Sequence, residues 1–270
     1  MKTKFKYTFI TGASSGLGRE LAIECAKQNM NLILVALPGR NLREFCEQLK
    51  VNFKIEATAY EGDLTDIGFI YSLAKEVLEQ YQVNFLINNA GMGGTVPFQE
   101  ASVAYLDAII QLNVRATSLL TRLMLEELKS HPHAYILNVS SMAAFSPIPY
   151  KTIYPASKAF IYSFSRGLSE ELKGTSVKVS VLNPGPILTN PDVIARIMKQ
   201  GIFGRMGLLT AGAISRIALK AVAENKKVVI PGFFNNFNHW LMRLFPETLR
   251  LRILGNVIQR EIVKTKPKAA

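Results

Sequence analysis

The chain has little cysteine. Its 270 residues contain two, Cys25 and Cys46, which form no Cys-x-x-Cys pair and fall within helical patterns. This spacing argues against a disulfide scaffold and a metal site, and suits buried or half-buried thiols in a reducing compartment. It also lacks any run of about 18 apolar residues, so nothing reads as a bilayer-spanning helix. The basic start Met1 to Lys6 is followed by an apolar run, Tyr7 to Ile10, that is too short for a signal-peptide core. A cytoplasmic chain is expected, or one attached at most to a membrane surface. Acidic residues are scarce beside basic ones, 20 against 32, giving a formal net charge of +12. Such an excess suits nucleic acid, anionic lipid, or anionic substrates and cofactors. No nucleic-acid-binding motif accompanies it and the basic residues are spread along the chain, so nucleic acid is not an expected partner.

With 49% hydrophobic residues the chain can bury a full core, and its length suits one large α/β domain with an appendage. Lys6 to Ile10 reads as a first strand running into Thr11-Gly12-Ala13-Ser14-Ser15-Gly16-Leu17-Gly18 and then an apolar-periodic helix. That order aims backbone N–H groups and a helix N-terminus at a phosphate. Gly12 turns the chain, Gly16 lets a pyrophosphate approach, and Gly18 lets the helix pack on the strand. Leu32 to Ala36 is an unbroken apolar run, as expected of a strand covered on both faces. It ends in Ala36-Leu37-Pro38-Gly39-Arg40, without the carboxylate that binds ribose hydroxyls in NAD-preferring folds. Arg40 suits a 2′-phosphate instead, which favours NADP(H) over NAD(H); the alternative is a solvated arginine at a helix start.

Further strands are expected at Lys54 to Ala59, Asn84 to Asn88, Ala134 to Val139, Val177 to Leu182 and Val228 to Ile230, with helices between them. The alternation argues for a doubly wound parallel sheet of about seven strands. Asp63 follows the third strand and suits either an adenine amine or a helix N-cap. A long helical pattern from about Ser102 to Lys129 carries Asn113 between Leu112 and Val114, facing inward.

Ser141 follows the strand that ends at Val139, at the sheet edge where ligands of such folds bind. Thirteen residues on comes Tyr154, and four beyond it Lys158. If Pro155 opens a helix, Tyr154 and Lys158 share one face a turn apart. A fixed cation beside a phenol favours the phenolate, so Tyr154 can move a proton to or from a carbonyl or alcohol oxygen held by Ser141. Tyr71 and Lys75 have the same spacing but sit in an ordinary amphipathic helical pattern with no such setting.

Taken together, the Thr11 to Gly18 turn, Asp63-Leu64, Asn88-Asn89-Ala90-Gly91, Asn113, Ser141, Tyr154 with Lys158, and Asn183-Pro184-Gly185 with Thr189 closely resemble the short-chain dehydrogenase/reductase family, over roughly Tyr7 to Gly232. The resemblance implies a Rossmann-type sheet, a nicotinamide cofactor and a tetrad. In that tetrad Tyr154 is acid or base, and Ser141 holds the substrate oxygen. Lys158 lowers the tyrosine pKa and binds the nicotinamide ribose, and Asn113 positions a water. By the same resemblance Gly12, Ser14, Ser15, Gly16, Leu17 and Gly18 contact phosphate and ribose. Asp63 and Leu64 line the adenine site, and Asn89, Ala90 and Gly91 the adenosine-side ribose. Pro184, Gly185, Ile187 and Thr189 belong to the nicotinamide end, with Ile187 and Thr189 on the carboxamide. A homodimer or homotetramer, packed through the helices around Asn113 and after Tyr154, is also implied.

Fold does not set the substrate. The apolar positions Ile194, Ile197, Met198, Ile202, Phe203 and Met206 suit either a cover over an apolar substrate or helix core. Beyond Gly232, residues 233–270 form a basic amphipathic extension, with Trp240, Leu241, Leu244 and Phe245, then Leu251, Leu254, Ile258 and Ile262, at helical spacing. Such a segment packs on the domain, acts as a lid or lies on an anionic membrane, packing being the commoner cause of the pattern. The expected function is an oxidoreductase for a hydrophobic ketone or secondary alcohol, steroid-like or acyl-chain in character. The alternative is an inactive dinucleotide-binding sensor or membrane-surface scaffold of the same fold.

Overall fold

The computed structural model of the protein describes residues 5–188 and 207–265. In chain order its elements begin with β1 (Lys6–Thr11), α1 (Gly16–Lys27), β2 (Asn31–Ala36), α2 (Leu42–Phe53), β3 (Ala57–Glu61), α3 (Ile67–Gln80) and β4 (Gln82–Asn88). There follow α4 (Val103–Ile110), α5 (Thr117–Lys129), β5 (Ala134–Val139), α6 (Ile153–Glu171) and β6 (Val177–Leu182). The last are β7 (Ile187–Leu188), β8 (Leu209–Thr210), α7 (Ala211–Ala223), β9 (Val228–Val229), α8 (Phe233–Leu244) and α9 (Glu247–Thr265).

Seven strands form one parallel sheet in the order β3-β2-β1-β4-β5-β6-β9, and β7 pairs with β8 separately. Phe9 of β1 sits opposite Ile33 on one side and Leu86 on the other. Helices α1, α2 and α7 cover one face, burying Leu21, Phe45, Leu49 and Ile214. The other face is covered by α3 and α5 through Ile70, Val77, Leu120 and Met124. Each such side chain contributes about 1.5–3 kcal/mol when fully buried. Cover on both faces is why the strands read as continuous apolar runs.

The first three strands step outward from β1, and the chain then returns to place β4 on its other flank. Where the direction reverses, the C-terminal ends of β1 and β4 part and leave a crevice. The Thr11 to Gly18 turn and the Asn88 to Gly91 segment both leave the sheet there. Both cysteines are free and buried, and burial, the main cause, pushes Cys25 up to about 12 and Cys46 up to about 11. They are therefore inert thiols at neutral pH.

Three elements differ in detail from the sequence expectation. The third strand starts at Ala57 rather than Lys54, because Lys54 closes α2 in a left-handed conformation, φ 56°. Helix α6 begins at Ile153, so Pro155 is its third residue; the first turn has no intrahelical acceptor for that N–H, so its loss costs nothing. The long helix capped by Ser102 is continuous to Lys129 but contains a π turn at Gln111–Ala116, centred on Asn113. Tyr71 is exposed on α3, whose buried residues are Ile70, Leu73, Ala74 and Val77, as an ordinary amphipathic helix requires.

Candidate active site

Gly12 and Gly16 adopt left-handed φ of 66° and 55°, which turns β1 into α1 within a few residues. A Cβ on Gly18 would lie 2.1 Å from the Gly12 carbonyl oxygen, so helix and turn touch without a side chain between them. The turn is locked from the neighbouring strand. Thr11 Oγ1 accepts the N–H groups of Asn89 and Ala90, each at 3.0 Å, and Asn89 Nδ2 donates to the carbonyls of Thr11 (2.9 Å) and Gly12 (3.1 Å). Ser15, the N-cap of α1, makes no side-chain capping bond, and the first turn contains no acidic residue. That leaves the helix N-terminus and its N–H groups for an anion. The glycine turn and the helix N-terminus it leads into fit the pyrophosphate of a dinucleotide; Ser14 is half-buried in the turn, and Leu17 is buried in the core.

At the other end of the crevice, Ser141 follows β5 and caps a short 3₁₀ turn, accepting the Ala143 N–H at 3.1 Å. Its hydroxyl also stands close enough to the Tyr154 hydroxyl to lower the pKa of that phenol. Lys158 is fully buried: its Nζ donates to Val139 O at 2.9 Å, and its own carbonyl accepts from Ser140 Oγ at 2.7 Å. The ammonium stands 5.8 Å from the centre of the Tyr154 ring. Gly91 lies directly over it, since a Cβ there would come 3.1 Å from Lys158 Nζ and 3.2 Å from Asn113 Oδ1. The structure thus brings Ser141, Tyr154, Lys158 and the Asn89 to Gly91 segment into one site.

The electrostatics correct one expectation. Lys158 was expected to lower the Tyr154 pKa; burial instead raises it, and the Ser141 hydroxyl offsets only part of the rise. A dry site penalises both charged forms, and burial alone brings the Lys158 ammonium down to about 8.

Asn113 does not reach into open space. Its Oδ1 accepts Met92 N–H at 2.9 Å, and its Nδ2 donates to Met92 O and Ser157 Oγ, also at 2.9 Å. The π turn shifts the helix by part of a turn and so aims this side chain at the 91–93 loop and at α6. Replacing Asn113 by Leu strands the Met92 N–H and carbonyl; the protein should lose about 2 kcal/mol of stability, read from its urea midpoint.

Arg40 is exposed between β2 and α2, with no ion-pair partner among the described residues, whereas nearby Arg43 pairs with Glu61 at 3.2 Å. Asp63 is exposed and closes a turn by accepting Thr65 N–H; Asp66, not Asp63, caps α3. Leu64 is buried. Pro184 O accepts Met142 N–H at 2.9 Å, tying the Asn183-Pro184-Gly185 turn to the segment after Ser141. Gly185 backs onto Asn235, and Ile187 lies in β7. Thr189, with Ile194, Ile197, Met198, Ile202, Phe203 and Met206, lies outside the described residues.

Sequence reading missed the support beneath the site. Thr11, Ser140 and Ser157 place the reactive segments through hydrogen bonds, as does the buried line in which Asn88 donates to Asn138 (2.8 Å) and Asn138 to Ser165 (2.9 Å). The available signal was polar residues inside otherwise apolar strands. It also gave no warning that Gly93 lies against the Tyr154 ring, where a Cβ would meet the ring at 2.2 Å.

A family model described as short chain dehydrogenase matches residues 6–197. The very-long-chain 3-oxoacyl-CoA reductase of Kluyveromyces lactis is 33% identical over 189 residues, 67% of this chain and 55% of that protein. The 17-beta-hydroxysteroid dehydrogenase type 3 of Mus musculus is 31% identical over 191 residues, 70% of this chain and 62% of that protein. The chain thus matches less than two thirds of the length of these relatives. A short-chain dehydrogenase from Sphingobium yanoikuyae in complex with NADPH shares the fold at a TM-score of 0.74 and 25% identity, covering 90% of this chain and 97% of that one.

Proposed function

The chain belongs to the short-chain dehydrogenase family, and from that premise we propose that it reduces hydrophobic ketones, or oxidises the matching secondary alcohols, with NADP(H). The observation that carries the reading is Tyr154 beside Ser141, with the buried Lys158 ammonium 5.8 Å from the tyrosine ring and one turn further along α6, at the same sheet edge as the glycine-rich turn. Residues Gly12 to Gly18 and Asn89 to Gly91 would hold the dinucleotide, with Arg40 toward a 2′-phosphate. When bound, the reduced nicotinamide supplies a hydride to the carbonyl carbon.

This chain's residues manage the oxygen. Ser141 donates a hydrogen bond to it, and Tyr154, whose raised pKa keeps it protonated, gives up its proton as negative charge develops there. The Lys158 ammonium stabilises the phenolate left behind, so a weak acid in the resting site becomes a stronger one at the moment of transfer. Oxidation runs the same proton in reverse.

An apolar substrate is supported by the acyl-chain and steroid names of the relatives; the small recess beside Tyr154 has a mixed lining, with Val96, Leu106, Ile109 and Ile153 beside Tyr105, Lys151 and Thr152. A homodimer or homotetramer is supported by exposed Phe160, stacked on Phe164 of α6 with ring centres 5.8 Å apart.

The test is purified protein with NADPH or NADH and ketones of graded size, including long-chain 3-oxoacyl thioesters and steroid ketones. We expect kcat/KM to favour NADPH by about tenfold or more, one charge-assisted bidentate contact, and to rise with apolar bulk. Tight NADPH binding with no turnover of any ketone would overturn this reading in favour of a dinucleotide sensor.

A further inference from the structure

Helix α8 turns an asparagine inward and a stripe of apolar side chains outward. One asparagine faces the domain: Asn235 is buried and donates to Gly207 O (3.0 Å) and Pro231 O (2.7 Å), while exposed Asn236 donates to Ile230 O and Gly232 O. His239 packs on the Phe145 ring with centres 4.0 Å apart. The apolar side chains face outward: Phe233 is 78% exposed, Phe237 49%, Trp240 57% and Leu244 62%. Spacings of four, three and four residues put them in one stripe. Its rings adjoin one another, Phe233 to Phe237 at 6.5 Å and Phe237 to Trp240 at 6.2 Å. Exposed Phe245, Leu249 and Ile253 extend the apolar surface along the chain into α9.

A core-packing helix would turn these rings inward, so the stripe needs an occupant. The charge of the segment selects it. Residues 233–246 contain no Asp or Glu, and residues 233–270 carry seven Arg and Lys against Glu247 and Glu261. A second copy meeting this face across a twofold axis would set the same basic residues against themselves. An anionic bilayer complements both features: the rings enter the headgroup boundary while the basic residues meet lipid phosphates. No described helix is long and apolar enough to cross a membrane.

We propose that the outer face of α8, with the exposed apolar residues of α9, docks the protein onto anionic lipid bilayers. The docked face adjoins the candidate active site. Phe145, which touches His239 and whose carbonyl accepts Arg250 Nη1 at 3.0 Å, lies four residues after Ser141. An apolar substrate dissolved in the bilayer would reach the cleft without crossing water. The docking claim itself does not rest on the reductase reading, because its readout is binding.

Trp240 is the only tryptophan of the chain, so its fluorescence reports the stripe directly. The full chain is mixed with vesicles of phosphatidylglycerol and phosphatidylcholine, or of phosphatidylcholine alone, and sedimented. The expected result is a blue shift and co-sedimentation with the anionic vesicles, weakened by salt. In a Phe233→Ser/Phe237→Ser variant, affinity should fall at least about tenfold while Tm holds, both residues being exposed. No binding to anionic vesicles, or binding that this variant leaves unchanged, overturns the proposal. So does a variant that turns an oligomer into a monomer when neither protein binds vesicles, which would assign the stripe to self-association.

Discussion

Tyr154→Phe should lower kcat for ketone reduction by about 10²- to 10⁴-fold, the usual worth of a positioned general acid. NADPH affinity and Tm should stay close to those of the parent. The substitution keeps the ring that packs beneath Gly93 and removes only the hydroxyl beside Ser141. A fall in NADPH affinity of the same size would make Tyr154 part of the binding wall rather than the proton donor.

The pH profile checks the same assignment. Lys158 ionises near 8, below its ordinary 10.5, because burial disfavours the ammonium. Reduction that depends on this charge therefore weakens as pH rises through about 8, and Lys158→Met should abolish that limb along with most of the rate. The stability consequence has a definite sign. Between about 8 and 10.5 the unfolded chain holds a proton that the folded chain has lost, so this group's contribution to stability rises with pH across that window. The cost of burying the ammonium is greatest below 8.

The second large effect is at Gly18. Valine there would place Cβ 2.1 Å from the Gly12 carbonyl oxygen and 2.4 Å from Asn89 Nδ2; the first of these is backbone and cannot rotate away. Helix α1 must move off the turn, breaking the Asn89 bonds that shape it. We expect NADPH binding to fall by at least about 100-fold and stability by about 2–4 kcal/mol, read by fluorescence titration and urea denaturation. Gly167→Ala is the control. Gly167 is exposed in α6 with nothing within 4 Å of its Cβ position, so alanine should add about 0.5–1 kcal/mol. A Gly18 variant that binds NADPH normally would show that the turn is not the phosphate site.

Much of this architecture is legible before any coordinates. Buried parallel strands leave unbroken apolar runs, and Thr11 to Gly18 is recognisable because its glycines answer local backbone demands. The Tyr154–Lys158 spacing is legible for the same reason, being a property of one helix turn. Features set by two distant segments are not. The Asn89 amide that braces the Gly12 carbonyl is one such feature. The π turn that aims Asn113 at Met92 and Ser157 is another. In α8 periodicity gives the stripe but not its direction, which leaves packing, lid and membrane readings open in the sequence. The direction of the Tyr154 shift is not legible either, because distance along the chain says nothing about how dry a site is.

Lys158 is held to the end of β5 twice, through Nζ on Val139 O and through its carbonyl on Ser140 Oγ. A helix riveted at both ends of one residue cannot slide along the sheet, so the proton donor one turn away keeps its station whatever ligand arrives. Adaptation to molecules of different girth then falls to the flanking loops and the carboxy-terminal helices. Reshaping those parts should change what the protein accepts while the proton-transfer geometry stays in place.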